Sequence, residues 1–320
     1  MPGTGRIARM PSVEEPAART CHARPGGRAC GRRPVMGLPY CREHLGPLNA
    51  TPWGDLARGW GATVARAVRS RTGGAEHPEG FDRDLVDALL PVAWPLYRWY
   101  WRVQVEGVEN IPTEGPALLA SNHSGTFPVD GAMLKVAILV EHGRNPWFLA
   151  GDTVFKVPGL RELTTAAGNA RADRESTLEL LRRGEVVGVF PEGEKGIGKG
   201  WKQRYRLLRF GRGGFVETAM LSGAPIIPTA VVGAEEVFPM VANLGFVARR
   251  FGLPYVPVVL NPLPLPSKWI IQFGEPIPTA HYGPEGVEDR QLVLELSELV
   301  RQTVQSILLD GLARRRTPFF

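Results

Sequence analysis

A chain of 320 residues, 43% of them apolar, is long enough to bury a sizeable core. Its 38 Lys and Arg against 32 Asp and Glu give a formal charge of +6, an excess that suits anionic membranes, acidic substrates or nucleic acid without choosing among them. No run of about 18 uninterrupted apolar residues occurs and no signal-peptide core opens the chain, so the expectation is a cytoplasmic protein peripherally associated with the membrane.

Residues 1–50 are rich in Arg, Pro and Gly and lack a periodic apolar pattern, which predicts a basic tail carrying a small module. All three cysteines fall there. Cys21, Cys30 and Cys41 cannot pair completely as disulfides, and with His44 they supply three thiolates and an imidazole, a tetrahedral shell for structural zinc in a knuckle-like module. Three unligated thiols are the alternative. Within residues 51–80, Trp53, Leu56, Trp60, Val64 and Val68 recur at helical spacing, with Arg58, Arg66, Arg69 and Arg71 elsewhere around the turn. This predicts a basic amphipathic helix, packed on the main domain or lying on a membrane, followed by a linker. Leu85 to Trp101 is crowded with Trp94, Tyr97, Trp99, Tyr100 and Trp101 and broken by Pro91 and Pro95. Such a segment suits either the headgroup level of a bilayer or an aromatic core.

Short apolar runs follow at Ala117–Ala120, Trp147–Leu149, Val186–Phe190, Ile226–Val232 and Trp269–Phe273, alternating with helical patterns such as Ser176–Arg183 and Gly214–Leu221. The alternation predicts an α/β domain. A last helix over residues 287–312, with Val293, Leu296, Val300, Val304 and Ile307 on one face, closes a domain of residues 81–312 ahead of a basic tail, 313–320.

Chemistry concentrates where strands run into polar loops. After Leu118–Ser121 come Asn122 and His123, with Asp130 seven positions beyond the histidine. An imidazole accepts protons near neutral pH, and a carboxylate beside it fixes its tautomer. After Val187–Phe190 come Pro191, Glu192, Gly193, Glu194 and Lys195, a carboxylate and a glycine-rich turn whose amides can approach a polar ligand. Arg171 and Arg174 share one short loop after Gly168, and arginine forks match phosphate. Ala224–Pro228 is a proline-bounded apolar strand. From Lys195 to Arg212 seven cations occur with no acid between Lys195 and Arg212, read first as a solvated face and otherwise as an attractor of anionic lipid or of coenzyme A phosphates. No Gly-x-Ser-x-Gly elbow and no Walker loop is present, which disfavours a serine hydrolase or an NTPase.

Taken in order, these four blocks resemble those of the lysophospholipid acyltransferases over roughly residues 95–280. The match departs in two places: six residues rather than four separate His123 from Asp130, and Glu194-Lys195 stand where the family has Thr-Arg. The resemblance implies an acyltransferase-type mixed sheet flanked by helices. It also implies direct transfer of a fatty acyl group from acyl-CoA or acyl carrier protein to a hydroxyl of a lysophospholipid such as 1-acylglycerol-3-phosphate, with no catalytic cofactor. His123 is then the general base and Asp130 its partner, while Arg171, Arg174, Glu192, Gly193 and Lys195 hold the acceptor. Expected partners are the thioester, the lipid acceptor and a membrane surface rather than nucleic acid. The alternatives are acylation of a glycolipid or other lipid alcohol, or a zinc-knuckle adaptor whose acyltransferase-like domain is not catalytic.

Overall fold

The computed structural model describes residues 81–155, 160–250 and 255–319. Cys21, Cys30, Cys41, His44 and the segment Trp53–Arg71, expected to be helical, lie outside the described residues. Among the described residues, no group of three or more His, Cys, Asp or Glu is arranged to hold a metal, and no helix is long and apolar enough to cross a membrane.

Three uninterrupted apolar strands, β2 (Ala117–Ser121), β5 (Val186–Val189) and β6 (Ile226–Val232), are buried at every position. Strands with no polar face require cover on both sides, so they occupy the sheet centre. Around them lie β1 (Gln104–Glu106), β3 (Trp147–Ala150), β4 (Asn169–Arg171) and β9 (Ile270–Phe273), in the order β1-β9-β6-β2-β5-β3-β4. β6, β2, β5, β3 and β4 are mutually parallel, whereas β9 pairs antiparallel with β6 and β1 follows β9. The sheet is therefore mixed.

The connections set the layers. From β2 the chain moves outward through α2 (Val129–Ala137) to β3, then through α3 (Asp152–Phe155) and α4 (Leu160–Ala166) to β4. It returns through α5 (Arg174–Arg182) to β5 and, past a short α6 (Glu194–Ile197), through α7 (Gly214–Ser222) to β6. Because such crossovers are right-handed, outward and returning helices cover opposite faces. A crevice opens where neighbouring strands send their connections to different faces, here between the C-terminal ends of β2 and β5.

The final helix, α9 (Arg290–Arg314), packs against β6, β2 and β9 through Val293, Leu296, Val300, Val304 and Leu308. Asp289 caps it by accepting from Gln291 and Leu292.

The aromatic segment is a core element. α1 (Arg83–Pro95) contains Pro91 and Pro95, whose missing amide hydrogens disrupt regular helical bonding, and it continues as a π-helical turn, Leu96–Tyr100. Trp94 stacks on Tyr97, and Trp101 stacks on Trp269 while donating from Nε1 to Leu265 O. Trp94, Tyr97 and Trp101 are buried, so of the three tryptophans only Trp99 is available to an interface.

Candidate active site

His123 follows directly on β2, in the crevice. Asn122 anchors its loop by donating from Nδ2 to Val231 O at 3.0 Å and accepting from Val231 N at 2.7 Å, a side-chain extension of the β2–β6 ladder. Asp130 sits in the first turn of α2, and the longer spacing still brings its carboxylate to the ring. His123 Nδ1 is 2.8 Å from Asp130 Oδ2, which also accepts from Ser124 N, while Oδ1 accepts from Gly131 N. With Nδ1 engaged, Nε2 is the nitrogen left for substrate. The face of the imidazole stacks on Phe190, with centroids 4.2 Å apart, and Phe190 stacks in turn on Phe148.

Glu192, expected to touch the acceptor, is a buried brace. Its Oε1 accepts from His123 N and its Oε2 from Leu208 N, at 3.1 and 2.8 Å. Lys199 lies between two carboxylates, 3.2 Å from Glu192 and 3.3 Å from Glu235, with only 4% of its side chain exposed. It is thus not part of a solvated basic face, although Lys195, Lys202, Arg204, Arg206, Arg209 and Arg212 are exposed. Burial pushes the Glu235 carboxyl up to about 7, against the opposing pull of Lys199. Gly196 closes the arrangement: a Cβ there would lie 2.6 Å from that of Glu192 and 3.0 Å from that of His123.

In front of His123 is a cavity of about 420 Å³. Leu149, Val189, Phe190, Phe210 and Phe215 give it apolar wall, and Gly193 contributes backbone. Its charges are mixed: Arg174 and Arg212 against Asp173, Glu194 and Glu217. Arg174 is 3.5 Å from Glu217, which also meets Arg290. The two expected phosphate-binding arginines are separated. Asn169–Arg171 is an edge strand rather than a loop, Arg171 pairs outward with Asp152 at 2.6 Å, and Asp173 caps α5 by accepting from Ser176 N. Neither Arg171 nor Lys195 lines the cavity.

Sequence reasoning missed Lys199, Glu235, Glu217 and Tyr255. Tyr255 donates to Thr126 O at 2.8 Å, and burial, with help from Asp130 and Glu194, pushes its phenol up to about 12. For Lys199 the signal was a cation inside a glycine-rich turn; for the others the sequence offers none.

A histidine held by a buried aspartate at the switch point of a mainly parallel sheet, facing a partly apolar cavity, is an arrangement of the α/β class that can accept a proton from a bound group. The comparisons narrow the class. The family described as Acyltransferase matches residues 102–232, a span that includes all four blocks. An uncharacterized protein of Mycobacterium tuberculosis is 45% identical over 285 residues, covering 85% of this chain and 79% of the relative. The human "DGAT1/2-independent enzyme synthesizing storage lipids" is 27% identical, covering 72% of this chain and 69% of the relative. The 1-acyl-sn-glycerophosphate acyltransferase PlsC of Thermotoga maritima shares the fold at a TM-score of 0.52 and 18% identity, over 80% of this chain and 89% of that one. The chain belongs to the family described as Acyltransferase and is an acyltransferase.

Proposed function

We propose that the enzyme moves a fatty acyl group from an acyl thioester, carried by coenzyme A or acyl carrier protein, to the hydroxyl of a glycerolipid at a membrane surface. The observation that carries this reading is the His123–Asp130 contact of 2.8 Å at the wall of the cavity. His123 Nε2 takes the hydroxyl proton while Asp130 stabilises the imidazolium that forms. The alkoxide oxygen attacks the thioester carbonyl, the C–S bond breaks, and the imidazolium returns the proton to the departing thiolate. No covalent acyl-enzyme is needed. Glu192 and Lys199 act on the base by fixing its backbone, and Gly193 and Arg174 face the acceptor.

A phosphate-bearing acceptor such as 1-acylglycerol-3-phosphate is the first reading, supported by Arg174 and Arg212 at the cavity. A second reading, an uncharged lipid alcohol, is favoured by the three carboxylates in the same lining, one of them already beside Arg174. The storage-lipid activity named for the human relative points the same way. Structural zinc on Cys21, Cys30, Cys41 and His44 remains part of the proposal, tested by metal analysis of the chain with and without residues 1–50.

The deciding experiment is thiol release from acyl-coenzyme A by the purified protein, with 1-acylglycerol-3-phosphate and a monoacylglycerol as rival acceptors. His123→Ala should lower the rate by ~10²–10⁴. Near-normal turnover of that variant would overturn the mechanism.

A further inference from the structure

Between β6 and β9 the chain leaves the sheet for an excursion, described at residues 237–250 and 255–267, built on a two-stranded antiparallel ribbon, β7 (Met240–Asn243) with β8 (Pro257–Val259), and a short helix, α8 (Gly245–Arg250). Its composition is unlike the rest of the chain. It contains no Asp or Glu, and its only charges before Lys268 are Arg249 and Arg250, both exposed. Of the fifteen exposed large apolar residues in the described protein, six fall here: Val241, Leu244, Phe246, Val258, Leu260 and Leu263. Phe246, Leu260 and Leu263 are 73%, 71% and 74% exposed, far more than scattered surface leucines require.

The excursion stands at the catalytic end of the sheet. β6 runs parallel to β2, so the chain leaves β6 on the side where β2 delivers His123. The two are tied directly: Thr126 Oγ1 donates to Phe238 O at 2.5 Å, Tyr255 donates to Thr126 O, and the Phe127 and Phe238 rings meet edge to face at 5.0 Å. Trp201 and Arg204, both exposed, share a shallow cleft with Phe238 and Met240 at its base.

We propose that this excursion is the docking element that seats the His123 crevice on an anionic lipid bilayer, an inference that rests on the proposed membrane-lipid acceptor. Exposed aliphatic and aromatic side chains enter the headgroup boundary, and neighbouring arginines meet the surface potential. A second copy of this chain is the poorer occupant, because a two-fold contact through the patch would offer Arg249 and Arg250 no carboxylate from the same element.

Co-sedimentation of the full chain with phosphatidylcholine vesicles, with and without phosphatidylglycerol, tests the assignment. Wild type should bind the anionic vesicles more tightly, and salt should weaken binding. Arg249→Gln with Arg250→Gln should lower affinity roughly 30-fold at low salt, since each surface-adjacent cation is worth about 1 kcal/mol and 1.4 kcal/mol is tenfold. Phe246→Ser, Leu260→Ser and Leu263→Ser combined should remove binding to both vesicle types while the melting temperature stays near wild type, the side chains being exposed. Variants that bind as wild type does would overturn the proposal. So would a wild-type dimer that the serine variant dissolves without any change in vesicle binding. Thiol release with short-chain monomeric acceptors separates the two readings: its absence in wild type, with vesicle binding intact, refutes the enzymatic proposal and leaves the docking surface standing.

Discussion

Replacing Asp130 by Asn separates the charge of the residue from its shape. Asp130 is fully buried, and its two oxygens accept three hydrogen bonds of 2.8 Å each, from His123 Nδ1, Ser124 N and Gly131 N. An amide has one oxygen for three donors. If that oxygen stays with Gly131, the new NH₂ group faces Ser124 N–H and His123 Nδ1. The serine amide loses its acceptor and the imidazole is driven to carry its proton on Nε2, the nitrogen that must accept one. If the amide turns over, the histidine regains an acceptor without its charge, and the Gly131 N–H is orphaned instead. Either orientation leaves one buried donor unpaired, a loss of ~1–3 kcal/mol in stability. Both also remove the charge that stabilises the imidazolium, which should lower kcat by ~10²–10⁴. Denaturant titration and thiol release measure the two effects on one sample. Combining Asp130→Asn with His123→Ala should slow the enzyme no further than His123→Ala alone, because the aspartate acts through the ring. A folded Asp130→Asn variant with turnover close to wild type would refute this reasoning.

Three further outcomes are expected. Lys199→Met strands two buried carboxylates without their cation, so chemical denaturation should show a loss of ~3–5 kcal/mol, part of which Glu235→Gln restores. Gly188→Ala places a Cβ 2.3 Å from Phe148 Cε1, and because Phe148 stacks on Phe190 and Phe190 on His123, thermal unfolding should report ~1–3 kcal/mol of overpacking together with a fall in kcat. Stability should also vary with pH through two buried groups of opposite sign. Burial raises Glu235 to about 7, so from the ordinary carboxylate range up to about pH 7 the folded protein holds a proton that the unfolded chain has released, and stability falls. Burial lowers Lys135 to about 7, so above that pH the unfolded chain holds the extra proton and stability rises again. Together the two give a minimum near pH 7 in denaturant midpoints, and Glu235→Gln should flatten its acid side.

What the sequence determined by itself is whatever repeats over a few residues or sits at a fixed offset. The uninterrupted apolar runs of β2, β5 and β6 specified central strands, because a strand with no polar face has to be covered on both sides. The stripe from Val293 to Val304 specified the face of α9. The His123 and Glu192 blocks marked the ends of β2 and β5, and the four blocks in order marked the family. The tertiary structure alone decided what crosses the chain. Glu192 reaches the backbone of His123 from 69 positions away and becomes a brace, while Lys199 leaves its run of cations because Glu192 and Glu235 converge on it. Arg171 turns outward, since β4 is a three-residue edge strand too short to carry an alternation and its arginine finds Asp152 first. The tryptophans of residues 94–101 have the same composition whether they meet lipid or core; Trp101 is buried against Trp269, more than 160 residues on, and Trp94 is buried and stacked on Tyr97. Periodicity records one-sided burial within a segment; which segments meet depends on the right-handed crossovers that fold β2, β5 and β6 together, and no local pattern encodes that.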